Sequence, residues 1–261
     1  MALMAGPILV FDSGVGGLSV VAALRQRLPS AELTYACDNA MLPYGVREDD
    51  WLVKRIVEVC GAAVNVSGCV GLVVACNTAS TLALDRLRQH LDVPVIGTVP
   101  AIKPAAELSR SRHIGLLATS ATVRRPYTDQ LIHDFAGNCR VTRVAADALV
   151  VEAEQMVRGK TPDLSRIRDA LAPLDALHDL DTVVLGCTHF PLLRDWLSGA
   201  MTRPLRWVDS GDAIARRCAQ IMPITASRGS VETAWLTALT PELAVGLRAH
   251  GFKNSCSLVI D

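Results

Sequence analysis

The sequence predicts an α/β fold with largely parallel sheet, and two observations carry that prediction. Short apolar runs bounded by turn residues alternate with amphipathic stretches from one end of the 261-residue chain to the other. The runs are apolar or β-branched, as expected of strands buried on both faces beneath crossover helices.

Taken in order, strands are expected at 8–12, 33–38, 71–76, 94–98, 113–119, 141–145, 182–187 and 205–209. Between them, 18–28, 47–64, 79–90 and 211–222 read as helices. In the second of these, Trp51, Ile56, Val59 and Ala63 recur at roughly helical spacing with charges between them. Proline-bearing loops near 95–100 and 201–206 are the best boundary candidates. Phe-Asp-Ser-Gly at 11–14 is echoed by Val-Asp-Ser-Gly at 208–211, and Val-Val-Ala-Cys at 73–76 by Val-Leu-Gly-Cys at 184–187. Two similar halves are therefore expected, with both echoes at strand ends, where doubly wound sheets place ligands.

Composition narrows the function classes. Half the residues are hydrophobic and 20% charged, enough for a sizeable core and too apolar for disorder. The 26 basic residues balance 26 acidic ones, so nothing draws the chain generally to nucleic acid or to a membrane surface. No apolar run approaches the roughly 18–20 residues that span a bilayer. Residues 1–7 are uncharged and lack the basic flank of a signal peptide. The eight cysteines (Cys37, Cys60, Cys69, Cys76, Cys139, Cys187, Cys218 and Cys256) form neither Cys-x-x-Cys nor zinc-finger spacing, so no metal site is expected. Together these features predict a protein of a reducing compartment, the cytoplasm. Only four lysines occur (Lys54, Lys103, Lys160 and Lys253), a short list for Schiff-base chemistry with pyridoxal phosphate; Lys103 is not excluded.

Three segments have the residue types of a site. In Phe11-Asp12-Ser13-Gly14-Val15-Gly16-Gly17-Leu18-Ser19 a strand ends in a glycine-rich turn that presents N–H groups to an anion. No Gly-Lys-Ser/Thr follows, and Ser19 stands where a dinucleotide fingerprint needs its third glycine, so both nucleotide readings are weak. The segments at 71–80 and 182–192 each bring a cysteine, Cys76 or Cys187, to a strand tip before polar residues and a helix. A thiol at a helix N-terminus is expected to have a lowered pKa. Asn77, Thr78 and Thr188 are of helix-capping type, while His189 beside Cys187 suggests a proton-transfer partner. Two such thiols can take a proton from one face of a carbon acid and deliver one to the other; alternatively they can form a redox disulfide. A fourth segment, Asp38-Asn-Ala-Met-Leu-Pro43-Tyr44-Gly45, reads as a rigid turn whose backbone donors meet a carboxylate.

Together FDSGVGGLSV, DNAMLPYG, ACNTAS, GCTHFPLL and VDSGDAIARR resemble the bacterial glutamate racemases of the aspartate/glutamate racemase family, over about residues 8–222. The motif IGTVPAIKPAA resembles the branch of enteric-type bacteria. DSGVGGLSV and GCTHFPLL favour glutamate over aspartate as the substrate. The resemblance implies a cytoplasmic, cofactor-independent isomerase that interconverts L- and D-glutamate and supplies the D form for peptidoglycan. It implies two similar α/β domains enclosing the substrate, divided as 1–96 plus 208–261 and 97–207. Cys76 and Cys187 match the two catalytic bases, with Cys76 acting on D-glutamate and Cys187 on L-glutamate. Asp12 and Ser13 match substrate contacts, and Asp12 also lies on the Cys76 side. Tyr44 and Gly45 match the loop that grips the side-chain carboxylate. Asn77, Thr78 and Thr188 match donors to the remaining polar groups, and His189 matches the support of Cys187. An acidic residue is expected near Cys187; spacing selects Glu154, with Glu152 the alternative two residues away. Thr119 and Thr122 lie in a segment that departs from the family, since Arg125 stands where many members have serine. A homodimer is common in the family, and the branch implies activation by UDP-N-acetylmuramoyl-L-alanine. Ser19 argues against a dehydrogenase, which would bind a dinucleotide tightly; a two-lobed amino-acid receptor would explain the polar strand tips but would not require a cysteine at both.

Overall fold

The computed structural model describes residues 6–222 and 231–260. Residues 1–5, 223–230 and 261 lie outside it, and with them parts of the expected first domain and of the leader reading. The chain folds into two sheets, parallel throughout. The strands are β1 (Ile8–Asp12), β2 (Leu33–Cys37), β3 (Gly71–Val74), β4 (Val95–Gly97), β5 (His113–Ala118), β6 (Arg140–Ala145), β7 (Thr182–Leu185), β8 (Arg206–Val208), β9 (Thr233–Leu236) and β10 (Asn254–Ser257). The first sheet has the order β10-β9-β2-β1-β3-β4 and the second β6-β5-β7-β8. Helices connect them: α1 (Leu18–Arg27), α2 (Asp49–Ser67), α3 (Asn77–His90), α4 (Ile102–Leu108), α5 (Ser120–Arg124) and α6 (Pro126–Ala136). Then follow α7 (Ala148–Val157), α8 (Leu164–Asp175), α9 (Arg194–Ala200), α10 (Gly211–Ile221) and α11 (Pro241–Ala249). This is the expected α/β architecture of two domains.

Burial on both faces explains the unbroken apolar strands. In β1, Ile8 and Val10 join the core under α1, while Leu9 and Phe11 join the opposite core with Leu52 and Ile56 of α2. In the second sheet Leu117, Val183 and Leu185 face one core, and Ile114, Leu116 and Val184 the other.

Several expected boundaries shift for local reasons. The second helix begins at Asp49 because the Glu48 carboxylate accepts the N–H groups of Asp50 and Trp51 as its N-cap, and it ends at Gly68 with φ +57°. Trp51, expected on the apolar face, is exposed; Leu52 takes the core position. Strands β3 and β7 stop at Val74 and Leu185, so both cysteines lie two residues past the sheet. Strands β9 and β10 were not anticipated. Both are short, and β10 is the half-buried sheet edge Asn-Ser-Cys-Ser, without an apolar run. The chain leaves the first sheet after Gly97 and returns to it after Val208. The crossings are adjacent: the Ser210 hydroxyl donates to the Val99 carbonyl at 2.5 Å. No helix among the described residues is long and apolar enough to cross a membrane.

Candidate active site

The C-terminal tips of β1, β3 and β7 converge on one cavity between the sheets. Its wall comprises Ser13, residues 42–45, Cys76, Asn77, Thr78, Thr119, Thr122, Val150, Gly186, Cys187, Thr188 and His189. About 40 Å³ of it is open to the centres of water molecules, room for a few waters or a small polar molecule. Of this wall, sequence reasoning points to Ser13, Tyr44, Gly45, Cys76, Asn77, Thr78, Cys187, Thr188 and His189; Thr119 and Thr122 line it too, although their segment departs from the family pattern. Leu42 and Gly186 lie within segments the sequence singles out but are not assigned there, and Val150 carries no signal; all three are apolar or small residues that provide shape rather than chemistry.

Cys76 and Cys187 are both buried free thiols. Cys76 is the N-cap residue of α3, and its sulfur lies 3.5 Å from the Ser13 hydroxyl. The expected lowering of its pKa does not occur. Burial, reinforced by the Asp12 carboxylate, pushes the Cys76 thiol up to about 12 against the pull of Ser13 and the Ala79 N–H. Cys187 precedes a short 3-10 turn (Phe190–Leu193) rather than an α-helix, and its sulfur stands 3.7 Å from His189 Nδ1. The two thiols therefore have different environments: one beside a carboxylate, the other beside an imidazole. All eight cysteines are unpaired in this structure.

Behind Cys187 runs a chain of charge. His189 Nε2 meets Glu154 Oε1 at 2.9 Å, and Arg158 donates to Glu154 Oε2 at 2.6 Å. Burial disfavours a charged imidazole, but hydrogen bonds with Cys187 and Glu154 outweigh it and hold His189 well above its ordinary pKa. Burial likewise raises Glu154, yet His189, the Val15 N–H and Arg158 hold its pKa below the ordinary carboxylate value. Glu152 points elsewhere, bonding Arg166 and the Asp163 N–H. The geometry thus brings Glu154, and not Glu152, toward Cys187. Arg158 was overlooked, although its position one helical turn after an acidic residue was a readable signal.

The glycine-rich turn does receive an anion, but an internal one: the Val15 N–H donates to Glu154 Oε1 at 2.7 Å. Its glycines permit this approach. A Cβ at Gly14 would lie 2.1 Å from Glu154 Oε1, and one at Gly16 only 2.5 Å from both His189 Nδ1 and Thr188 Oγ1. Asp12, fully buried, accepts the Gly14 N–H at 2.9 Å and the Thr188 hydroxyl at 2.9 Å; burial raises its pKa. Asp12 therefore ties the two domains together rather than lining the cavity. Ser19 does similar work through its contact with the Thr188 carbonyl at 2.9 Å. The echo at Asp209 reproduces the turn, since Asp209 accepts the Gly211 N–H at 2.8 Å, but outside the cavity wall. Lys103 is also absent from that wall; its ammonium lies over the Phe135 ring in a separate cleft beside the crossings.

The site is thus a cavity between two α/β domains whose wall carries two thiols. Residues 18–218 match the family model described as Asp/Glu/Hydantoin racemase. The chain belongs to that racemase family and is an isomerase. It is 43% identical over 260 residues to the glutamate racemase of Shewanella halifaxensis, covering 97% of each chain. Among solved structures it resembles Escherichia coli glutamate racemase in complex with L-glutamate and the activator UDP-MurNAc-Ala, with TM-score 0.93, 40% identity and coverage of 98% of this chain and 100% of that one. It also resembles glutamate racemase isoform RacE1 of Bacillus anthracis, with TM-score 0.81, 27% identity and coverage of 99% and 98%.

Proposed function

We propose that this protein interconverts L- and D-glutamate without a cofactor, with Cys76 and Cys187 as bases on opposite faces of the substrate's Cα. The observation that carries the proposal is the presence of both thiols in one cavity wall, each with its own polar partner. With L-glutamate, the Cys187 thiolate takes the Cα proton beside the His189 imidazolium, and the Cys76 thiol delivers its proton to the other face. The result is D-glutamate, a Cys187 thiol and a Cys76 thiolate; the reverse reaction exchanges the roles. The elevated pKa of Cys76 supports the thiol as its resting form.

Removing a proton beside a carboxylate builds negative charge, which hydrogen-bond donors aimed at that group stabilise in a water-poor site. Asn77 and Thr78 supply such donors, and Thr188, whose hydroxyl proton goes to Asp12, supplies its backbone N–H. The Asn77 side-chain oxygen is buried without a partner among the described residues, an acceptor suited to the substrate's ammonium. Ser13 supports Cys76 and contacts the substrate, Asp12 stands behind that thiol, and Tyr44 and Gly45 offer backbone donors to the side-chain carboxylate. None of the four lysines lines the cavity, which supports a mechanism without a Schiff base.

The same reading assigns residues 1–96 plus 208–261 and 97–207 to the two domains, a cytoplasmic location, a homodimer, and D-glutamate supply for peptidoglycan. It includes activation by UDP-N-acetylmuramoyl-L-alanine. A cleft at the crossings carries Lys103 and Arg217, cations suited to a diphosphate. The test is circular dichroism of L- and D-glutamate, and of aspartate, with Cα deuterium exchange, with and without that precursor. Wild-type racemisation rates in both Cys76→Ser and Cys187→Ser would sink the two-thiol mechanism.

A further inference from the structure

The cavity wall contains neither lysine nor arginine among the described residues, and its raised imidazole, His189, is already engaged by Glu154 and Cys187, so an acidic side chain at the other end of the cavity is held by neutral donors. Residues 42–45 form one continuous part of that wall. Tyr44 is almost fully buried, and its hydroxyl donates to Asp38 Oδ2 at 2.9 Å. Arg55, from α2, grips the same carboxylate with a fork: Nε to Oδ2 at 2.9 Å and Nη2 to Oδ1 at 2.8 Å. Asp38 is fully buried and immediately follows β2, and its N–H reaches the Asp12 carbonyl at 3.2 Å. The loop is thus anchored to the same row of strand tips that carries Asp12 and Ser13.

We infer that Asp38 and Arg55 are positioning residues that fix the 42–45 loop for recognition of the substrate's side-chain carboxylate. This rests on the glutamate reading above. Two physical consequences support it. The Tyr44 hydroxyl proton is committed to Asp38, so the phenol cannot also donate it to substrate, and the loop's remaining donors are its backbone N–H groups. An unpaired Asp38 would be a buried anion behind a wall that must accept another anion; the Arg55 fork cancels that charge without entering the cavity. Neutralisation and orientation come from one contact.

The experiment compares wild type, Tyr44→Phe, Arg55→Lys and Arg55→Met by steady-state racemisation from both enantiomers. The expected result is a KM for each enantiomer raised about tenfold in Tyr44→Phe, the worth of one hydrogen bond to a charged group. Arg55→Met rises further, Arg55→Lys falls between wild type and Arg55→Met, and kcat changes little. A general structural defect would instead lower kcat and the active fraction together. Unchanged KM in Tyr44→Phe, or a loss confined to kcat, overturns the inference even if Arg55→Met fails to fold. Absence of glutamate turnover by the wild type overturns the underlying reading, and the inference with it.

Discussion

Gly14→Ala tests the most tightly dimensioned contact in the site. The new Cβ would stand 2.1 Å from Glu154 Oε1, 3.2 Å from the carboxyl carbon and 3.1 Å from His189 Nε2. Restoring ordinary contact requires the carboxylate to retreat by roughly 1.3 Å. That oxygen now receives the Val15 N–H at 2.7 Å and faces His189 Nε2 at 2.9 Å, so retreat carries at least one bond beyond hydrogen-bonding range. A hydrogen bond to a charged group contributes about 1.5–3 kcal/mol. Loss of one, with His189 no longer held, should lower kcat/KM for glutamate about 10–100-fold in both directions. Circular dichroism gives the rate, and near-UV dichroism checks the fold. The Gly61→Ala variant is the control, because a Cβ there meets nothing within 4 Å. A folded Gly14→Ala protein with wild-type kcat/KM would refute the assignment of Glu154 as the support of His189.

The charge chain predicts a pH signature. Because His189 is raised, its pairing stabilises the fold fully below its unfolded pKa and is lost as pH rises through the raised folded value. Glu154 is lowered, so its contribution is present above its unfolded pKa and is lost as pH falls through the lowered folded value. Glu154→Gln should therefore move the alkaline limb of the kcat/KM profile to lower pH; an unmoved limb would separate Glu154 from His189. Arg125 makes a bidentate pair with Asp49 across the domains, at 2.9 and 3.0 Å. Arg125→Ser should raise KM by at most about fivefold, the range of a partly exposed pair, and flatten its dependence on salt. Equal salt slopes in the two proteins would show that the pair does not hold the cleft closed. Gly61→Ala, in the middle of α2, should stabilise the protein by about 0.5–1 kcal/mol with unchanged turnover, read from the thermal midpoint and the racemisation rate.

The fold was legible wherever burial alone specified the residue type. Strands such as Ile8–Asp12 and His113–Ala118 are apolar on both faces and need no knowledge of their neighbours. Strand β10 could not be read that way, because its place depends on the edge that β9 provides. Cys76 and Cys187 stood out because each follows an apolar run directly. Their protonation setting was not legible: a helix start suggested a lowered thiol pKa, but the burial and the Asp12 carboxylate that reverse it are properties of the assembled tips. For the same reason the glycine turn suggested an external anion. Its partner, Glu154, is 139 residues away from Val15 in sequence and on the other domain.

The adjacency of the two crossings has a mechanical consequence. With Ser210 bonded to Val99, both connections act as one pivot, and each thiol sits on a different arm. Their separation is therefore not a dimension of either domain's core but is set between the arms, by the crossings together with the Asp12–Thr188, Val15–Glu154 and Arg125–Asp49 contacts. A change at the crossings or in these contacts shifts that separation, so geometry matters at residues outside the cavity wall. Core substitutions within one arm leave the gap unchanged so long as that arm stays rigid, whereas lengthening or shortening either crossing by one residue changes the gap directly.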